Sequence, residues 1–265
     1  MILFTDLDNT IIYSYKHDIG PQKRNVEIYQ GRKISFITED TFEYLRELKK
    51  RILIVPTSTR TIEQYERIDL GVGRFRYALV CNGGILLKDG LRVDSWYEES
   101  LKEIRESKDE LSEGLKLLEM DSRRTFELRY VENLFVFTKC DDPKTVVFDL
   151  QEKLDNGYVD VFNNGTKVYI VPKRLNKGRA VERFMEYKGE SFSVTAGDSE
   201  FDISMLKMGN IGISPSGFST GFKIDFFVEE MENGKIFSDE LLKRCLEISK
   251  VELYKNSDKF SITSE

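Results

Sequence analysis

Histidine is nearly missing from this chain: His17 is the only one in 265 residues. That excludes His-rich metal sites and makes any Ser-His or Cys-His catalytic pair depend on that one side chain, so chemistry must come from carboxylates, hydroxyls, Lys and Arg. Cysteine is scarce too. Cys81, Cys140 and Cys245 are odd in number, far apart and without CxxC spacing, which argues against a disulfide framework or a zinc site and points to a reducing cytoplasm. No stretch approaches the roughly 20 consecutive apolar residues of a membrane-spanning helix. The start, Met1 to Asp6, has no basic segment and reaches an acid within six residues, unlike a signal peptide. The net charge is −6, with Lys and Arg scattered among Asp and Glu. No basic face for nucleic acid is therefore expected, and no membrane partner. Internal repeats and low-complexity segments are also absent.

What remains is a hydrophobic fraction of 40% with 12% aromatics, enough to fill the core of one large domain or two modest ones. Ile2-Leu3-Phe4-Thr5 reads as a buried strand ending at Asp6. Residues 25–37 read as a hairpin turning near Gln30-Gly31. Asp40 with Glu43 resembles a capping box opening a helix with Phe42, Leu45 and Leu48 inward. A strand over 52–55, a helix over 61–69 and a strand over 77–80 follow. That rhythm predicts an α/β fold with a doubly wound, mostly parallel sheet.

Asn82-Gly83-Gly84 breaks the rhythm. Strands 85–88 and 92–96 pair across Asp89-Gly90, 98–119 is helical, 125–131 and 134–138 form a second hairpin, and 143–155 is a second helix. Strands 158–162 and 167–171 flank Asn163-Asn164-Gly165, a hairpin turn signal. This is an α+β insert. The division expected is 1–84 and 175–265 for the core and 85–174 for an inserted cap. The core resumes with a helix over 178–187 and strands at 192–196, 210–213 and 224–228. A closing helix over 238–255 with a polar, frayed tail ends the chain.

Four groups sit at or beside strand ends, where open α/β sheets place ligands. Asp6 and Asp8, at i and i+2 after an apolar strand, project to one side while Leu7 points back to the core. Two adjacent carboxylates need a cation or a proton between them. Thr57-Ser58-Thr59-Arg60 offers hydroxyls and backbone N–H groups to phosphate oxygens, or simply caps the next helix. Lys177, before Gly178 at a predicted helix start, can place a point charge on a phosphoryl group, or be plain surface. Gly197-Asp198-Ser199-Glu200-Phe201-Asp202 sets two carboxylates four residues apart, a hard-oxygen set that suits Mg²⁺, or an acidic helix start.

In this order, Asp-x-Asp-x-Thr, Ser/Thr, Lys before Gly and Gly-Asp-x-x-x-Asp resemble the four motifs of the haloacid dehalogenase superfamily. The insert between the second and third motifs, entered through Cys81-Asn82-Gly83-Gly84, is similar to the C2-type cap of subclass IIB, the Cof-like and sucrose-phosphatase-like phosphatases. The resemblance implies a Rossmannoid core and a phosphomonoester hydrolase. Asp6 would be the nucleophile that is transiently phosphorylated. Asp8 would be general acid and then base, Ser58 (or Thr57) a hydrogen-bond donor to the phosphoryl oxygens, and Lys177 a charge neutraliser. Asp6, the Asp8 carbonyl and Asp198 would hold Mg²⁺, with Asp202 behind them or acting through water. Two positions depart from the family's pattern: Phe201 where Asn is usual, and Ser58-Thr59-Arg60 where Thr-Gly-Arg is common.

The cap of such a protein closes over the nucleophile and selects the leaving alcohol. Candidate substrate-binding residues are Thr59, Arg60, Asn82, Arg123, Arg129 and Lys167, with Arg124, Lys139, Asn163, Asn164 and His17 as further polar groups near the entrance. The expected partner is a small phosphorylated metabolite such as a sugar phosphate, taken by a cytoplasmic monomer or weak homodimer. Two alternatives stand beside the hydrolase. One is a phosphomutase resembling the phosphomannomutases, with Arg123-Arg124 gripping a second phosphate. The other is a non-catalytic protein that binds a phosphorylated ligand.

Overall fold

The structure, a computed structural model, describes residues 1–261, with side chains placed to Val251. The first core segment holds β1 (Ile2–Thr5), β2 (Tyr13–Ser14), β3 (Lys23–Tyr29), β4 (Arg32–Thr38), α1 (Glu39–Leu48), β5 (Leu53–Pro56), α2 (Ile62–Glu66) and β6 (Tyr77–Val80). Residues 85–172 hold β7 (Ile85–Lys88), β8 (Leu91–Arg92), α3 (Asp94–Glu103), α4 (Lys108–Glu119), β9 (Arg129–Val131), β10 (Phe135–Lys139), α5 (Pro143–Gln151), β11 (Val159–Asn164) and β12 (Lys167–Pro172). The second core segment holds α6 (Lys177–Lys188), β13 (Ser193–Ala196), α7 (Ile203–Met208), β14 (Ile211–Ser214), α8 (Phe218–Phe222), β15 (Glu229–Glu230) and α9 (Phe237–Ser261).

Five parallel strands form the core sheet in the order β15-β14-β13-β1-β5. The run Ile2-Leu3-Phe4 is apolar at every position because both faces are covered. Leu3 packs with Leu45, Leu48, Leu241 and Cys245 beneath α1 and α9. Ile2 and Phe4 pack with Val181 and Phe184 of α6 and Met205 of α7. β6 continues the sheet through one parallel bridge, Thr57 to Leu79, and then pairs antiparallel with β7. The strand order reverses at β1, so the crevice at its carboxyl end is where an open α/β sheet binds ligands.

A separate antiparallel sheet, β11-β12-β10-β9, carries α4 and α5 on one face, with Val136, Val161, Val168 and Ile170 buried beneath them. Its other face holds Phe137, Phe162 and Tyr169, which pack against an apolar cluster that includes Ala78 and Val80 of β6 as well as Phe135 and Val171 of the same sheet. Cys81-Asn82-Gly83-Gly84 make the tight turn of the β6–β7 hairpin. A Cβ at Gly83 would lie 2.2 Å from that of Ala180, so only glycine lets α6 pack against this turn.

Several local expectations are corrected. Helix α1 is capped by Thr38, whose hydroxyl accepts the Thr41 N–H, rather than by Asp40. Phe42 is only half-buried, while Leu45 and Leu48 are fully inward. The strand expected over 92–96 stops at Arg92, because the Trp96 indole turns in from α3 to donate to the Gly83 carbonyl at 3.0 Å. The helical run 98–119 is split by a 3-10 turn at Arg105–Ser107. β11 runs through Asn164, so its turn falls on Gly165 and Thr166. No strand forms over 224–228; β15 pairs two residues further on. Helix α9 continues past 255 to Ser261, and the last four residues of the polar tail lie outside the described residues.

Candidate active site

Asp6 follows β1 directly, and its N–H donates to the Ala196 carbonyl at 2.9 Å, which fixes the carboxylate at the sheet's carboxyl end. Lys177 is the first residue of α6 and is 1% exposed. Its ammonium donates to Asp6 Oδ1 and to Asp202 Oδ1, each at 2.6 Å. The other oxygen of Asp202 accepts from the Asp198 N–H at 3.1 Å, the Ser199 N–H at 3.0 Å and the Ser199 hydroxyl at 2.8 Å. Asp202 thus ties the loop to the lysine with both oxygens committed. Gly197 makes this possible, since a Cβ there would sit 2.3 Å from that of Asp202.

Asp6, Asp198 and Asp202 offer oxygens that lie within 4.8 Å of one another. Three carboxylates cluster around one ammonium that bonds two of them, so full ionisation would leave two negative charges uncompensated. Burial raises the Asp6 carboxyl well above its usual range; Lys177 opposes the rise, and Asp202, Asp198 and Asp8 add to it. Burial, with Asp202 beside it, pushes Asp198 up to about 7, although the Thr10 hydroxyl donates to it at 2.9 Å. Burial works against the Lys177 ammonium, but Asp202 and Asp6 hold its pKa above the ordinary lysine value. A concave, all-oxygen set with surplus negative charge fits a hard divalent cation such as Mg²⁺.

Asp8 has a different partner. Arg60 grips it with two bonds, Nε to Oδ2 and Nη2 to Oδ1, both 2.7 Å. Burial alone would raise this carboxyl, but the Arg60 hydrogen bonds and charge hold it below the ordinary range. In the same loop, the Thr57 hydroxyl donates back to the Val55 carbonyl at 3.1 Å. The Ser58 hydroxyl accepts from the Arg60 N–H at 3.2 Å, which leaves its proton free.

The structure brings some of the remaining sequence candidates together and disperses others. Lys167 stands over the cleft on β12: burial, with Lys139 and Arg60, lowers its pKa, while Asp8 opposes that. Lys139 is directly opposite Lys167 on β10. Arg129 shares a cross-strand row with Phe137, Tyr169 and Phe162, pairs with Glu127 and lies over the Phe126 ring. Asn164 pairs with Lys167 on the same face. Thr59 lies half-buried in the Ser58–Arg60 loop.

Arg60 is spoken for, since all five of its N–H donors are used within the protein. Asn82 donates to the Leu175 carbonyl at 2.7 Å, tying the β6–β7 turn to the segment between β12 and α6 instead of facing a substrate. Arg123 binds Asp121 and, at 2.8 Å, Asp149 of α5, on the helix-covered side of the cap. Arg124 donates to the carbonyls of Leu118 and Phe126. Asn163 pairs with Val168, so it shares the helix-covered face, and it donates to the Gly165 carbonyl. His17 is exposed and hydrogen-bonds Ser14.

Three residues that sequence reading passed over belong to this site. Tyr169 faces Asp8 from β12, and burial raises its hydroxyl pKa. Phe201, noted only as a departure from a motif, packs edge-on against Phe162 at 4.7 Å and Tyr169 at 5.5 Å. Glu27 accepts from Arg60 on both carboxylate oxygens, at 2.9 and 3.0 Å. Strict alternation along β3 would send Glu27 outward, but bulges on either side turn it in and leave Ile28 57% exposed.

Residues 91–214 match the family of haloacid dehalogenase-like hydrolases. Among curated proteins, none matches the sequence. The structure is similar to the sucrose-phosphatase from Synechocystis solved with sucrose and phosphate, with a TM-score of 0.68 and 16% identity over 93% of this chain and 97% of that one. It is also similar to the Thermoplasma acidophilum protein 0175, with a TM-score of 0.61 and 13% identity over 94% and 97% of the two chains. A trehalose-6-phosphate phosphatase related protein aligns at a TM-score of 0.52 and 16% identity, over 96% of this chain and all of that one.

Proposed function

We propose, from the premise that this chain is a haloacid dehalogenase-like hydrolase, that it is a Mg²⁺-dependent phosphomonoester hydrolase working through an aspartyl-phosphate on Asp6. The observation that carries the reading is the Asp6–Lys177–Asp202 arrangement, in which one buried ammonium steadies a strand-end carboxylate beside Asp198. Lys177 binds one oxygen of Asp6, and among the described residues no donor occupies the other. That oxygen attacks phosphorus; the Asp6–P bond forms as the P–O bond to the alcohol breaks. Asp8 gives the leaving oxygen its proton. A water then attacks phosphorus, Asp8 takes its proton, and phosphate and free Asp6 are restored. The resting clamp by Arg60 keeps Asp8 ionised and suited to the base step. A phosphate dianion beside Asp8 raises its affinity for the proton that the acid step needs.

Ser58 is the better placed hydroxyl for the phosphoryl oxygens, because Thr57 has already committed its proton. The carboxylates of Asp6 and Asp198, with the carbonyl of Asp8, would hold Mg²⁺; when bound, the ion supplies charge neutralisation to the phosphoryl group. Asp202 serves instead as the anchor of Lys177 and of the loop.

Residues 85–174 form the cap in this reading. They present Lys167, Lys139 and Arg129 with the Phe137–Tyr169–Phe162 row to the leaving alcohol. Similarity to a sucrose-phosphatase and a trehalose-6-phosphate phosphatase related protein favours a sugar phosphate. The mutase reading loses its support, because Arg123 and Arg124 are both turned into the cap's own contacts. The free thiols of Cys81, Cys140 and Cys245 suit a reducing compartment.

The test is phosphate release from a panel of sugar phosphates and 4-nitrophenyl phosphate, with Mg²⁺ or with EDTA, beside Asp6→Asn. Magnesium-dependent release that disappears in the variant is the expected result. Release that survives Asp6→Asn would overturn the assignment.

A further inference from the structure

Arg60 sits between two carboxylates and meets both in bidentate fashion. Its Nε and Nη2 hold Asp8, its Nη1 and Nη2 hold Glu27, and its remaining donor goes to the Gln64 carbonyl at 3.1 Å. A planar guanidinium satisfied on all sides cannot pivot without breaking several charge-assisted bonds. Glu27 is itself locked. Its side chain is fully buried, and it also accepts the Ser35 hydroxyl at 2.6 Å and Arg67 Nε at 3.3 Å.

The backbone supports this arrangement. Asn25 donates its side-chain amide to the carbonyls of Glu27 and Ser35, each at 2.9 Å, which stabilises the bulged stretch of β3. Glu27 also bridges Ile68, and the Asp69 N–H donates to the Val26 carbonyl at 2.8 Å, so β3 is stitched to the segment after α2. The result is a rigid path from the β3–β4 hairpin to Asp8, a carboxylate of the site that Lys177 does not touch. Asp8, by contrast, has its side chain 49% exposed and no second side-chain partner among the described residues. Without Arg60 it would be free to rotate.

We propose that Glu27 is a positioning residue, which fixes the Arg60 guanidinium and through it the direction in which Asp8 faces the leaving-group oxygen. The proposal rests on the phosphatase reading above. Glu27 touches no reacting atom and acts only through Asp8. Its loss therefore falls on the step in which a proton reaches the leaving group. Esters of poor leaving groups need that proton; esters of good ones hardly do.

The experiment compares phenyl phosphate with 4-nitrophenyl phosphate, which share a phosphoryl group and differ in leaving group, in wild type, Glu27→Gln, Asp8→Asn and the double variant. Glu27→Gln is expected to lower kcat for phenyl phosphate by about tenfold more than for 4-nitrophenyl phosphate, within the roughly 10²–10⁴-fold that a general acid contributes. KM should stay within about twofold. In the Asp8→Asn background the same substitution should cost nothing further, because the group it positions is already gone. Where Glu27→Gln does not fold, Glu27→Asp keeps the charge in its pocket but withdraws it from Arg60, and the same selective loss is expected.

An equal loss on both esters, or a further loss in the Asp8→Asn background, would show a merely structural role and overturn the proposal. If Asp8→Asn itself shows no leaving-group selectivity, or wild type releases no phosphate from either ester, the phosphatase reading of Asp8 fails and the proposal fails with it. The two failures are thus distinguishable.

Discussion

The ring of Phe201, one residue before the buried Asp202, meets the ring of Phe162 on the cap sheet at 4.7 Å and an angle of 73°. A core loop that carries a candidate metal ligand is thereby joined to the cap by an aromatic contact. The same ring reaches Tyr169 at 5.5 Å. Edge-to-face pairs of this kind contribute about 0.5–1.5 kcal/mol each beyond the area they bury. Phenylalanine at this position couples loop to cap through ring packing.

Phe201→Ala should therefore loosen the contact between loop and cap while leaving Lys177, Asp6 and Asp202 in place. Two lost aromatic contacts shift a closed–open equilibrium by roughly tenfold. The expected outcome is a KM raised by about that factor, a smaller change in kcat, and a larger radius of gyration by solution scattering. An unaltered KM and an unaltered radius would show that the contact does not hold the cap.

Asp202 serves stability before chemistry. Its two oxygens satisfy Lys177, two backbone N–H groups and the Ser199 hydroxyl, all at a fully buried position. Asp202→Ala leaves a buried ammonium with one partner and two amides with none. Breaking a buried pair in this way costs about 3–5 kcal/mol. Urea unfolding followed by circular dichroism should show the loss as a lowered midpoint; a midpoint equal to wild type would refute this account of the anchor.

The acidic cluster gives stability a pH dependence that a metal should reverse. The folded-state pKa of Asp198 is about 7 against an ordinary 3.8, and Asp6 is raised as well. Between those values the metal-free folded protein holds protons that the unfolded chain has released. The contribution of these groups to stability is therefore present in acid and lost as the pH rises through about 7. On the proposed reading, Mg²⁺ would bind the deprotonated carboxylates and compete with the protons. The gain in Tm on adding Mg²⁺ to metal-stripped protein should be larger near about pH 8 than near about pH 5.5. Equal gains at the two pH values, or no gain at either, would remove the metal from this site.

The sequence by itself determined much of what depends on neighbours along the chain, though not every cap and strand end. The apolar run that ends in Asp6-Leu7-Asp8 reads as a buried strand delivering carboxylates to one end of a sheet, and the structure forms that strand. The order of Asp6, Ser58, Lys177 and Asp198 carried the resemblance to the haloacid dehalogenase superfamily, and the change of rhythm after Gly84 fell where parallel pairing gives way to antiparallel pairing. The free proton of Ser58, the role of Arg60 and the inward turn of Glu27 were decided by tertiary structure. Alternation shows which way a strand residue faces only while the register is regular, and the bulges around Glu27 invert it. A charged side chain, likewise, is defined by its partner. Arg60 and Arg123 read alike as free cations, yet one is clamped between Asp8 and Glu27 and the other against Asp121 and Asp149. Those partners lie up to 52 residues away along the chain. Only packing brings them together, because a buried guanidinium must be matched by carboxylates wherever the fold can supply them.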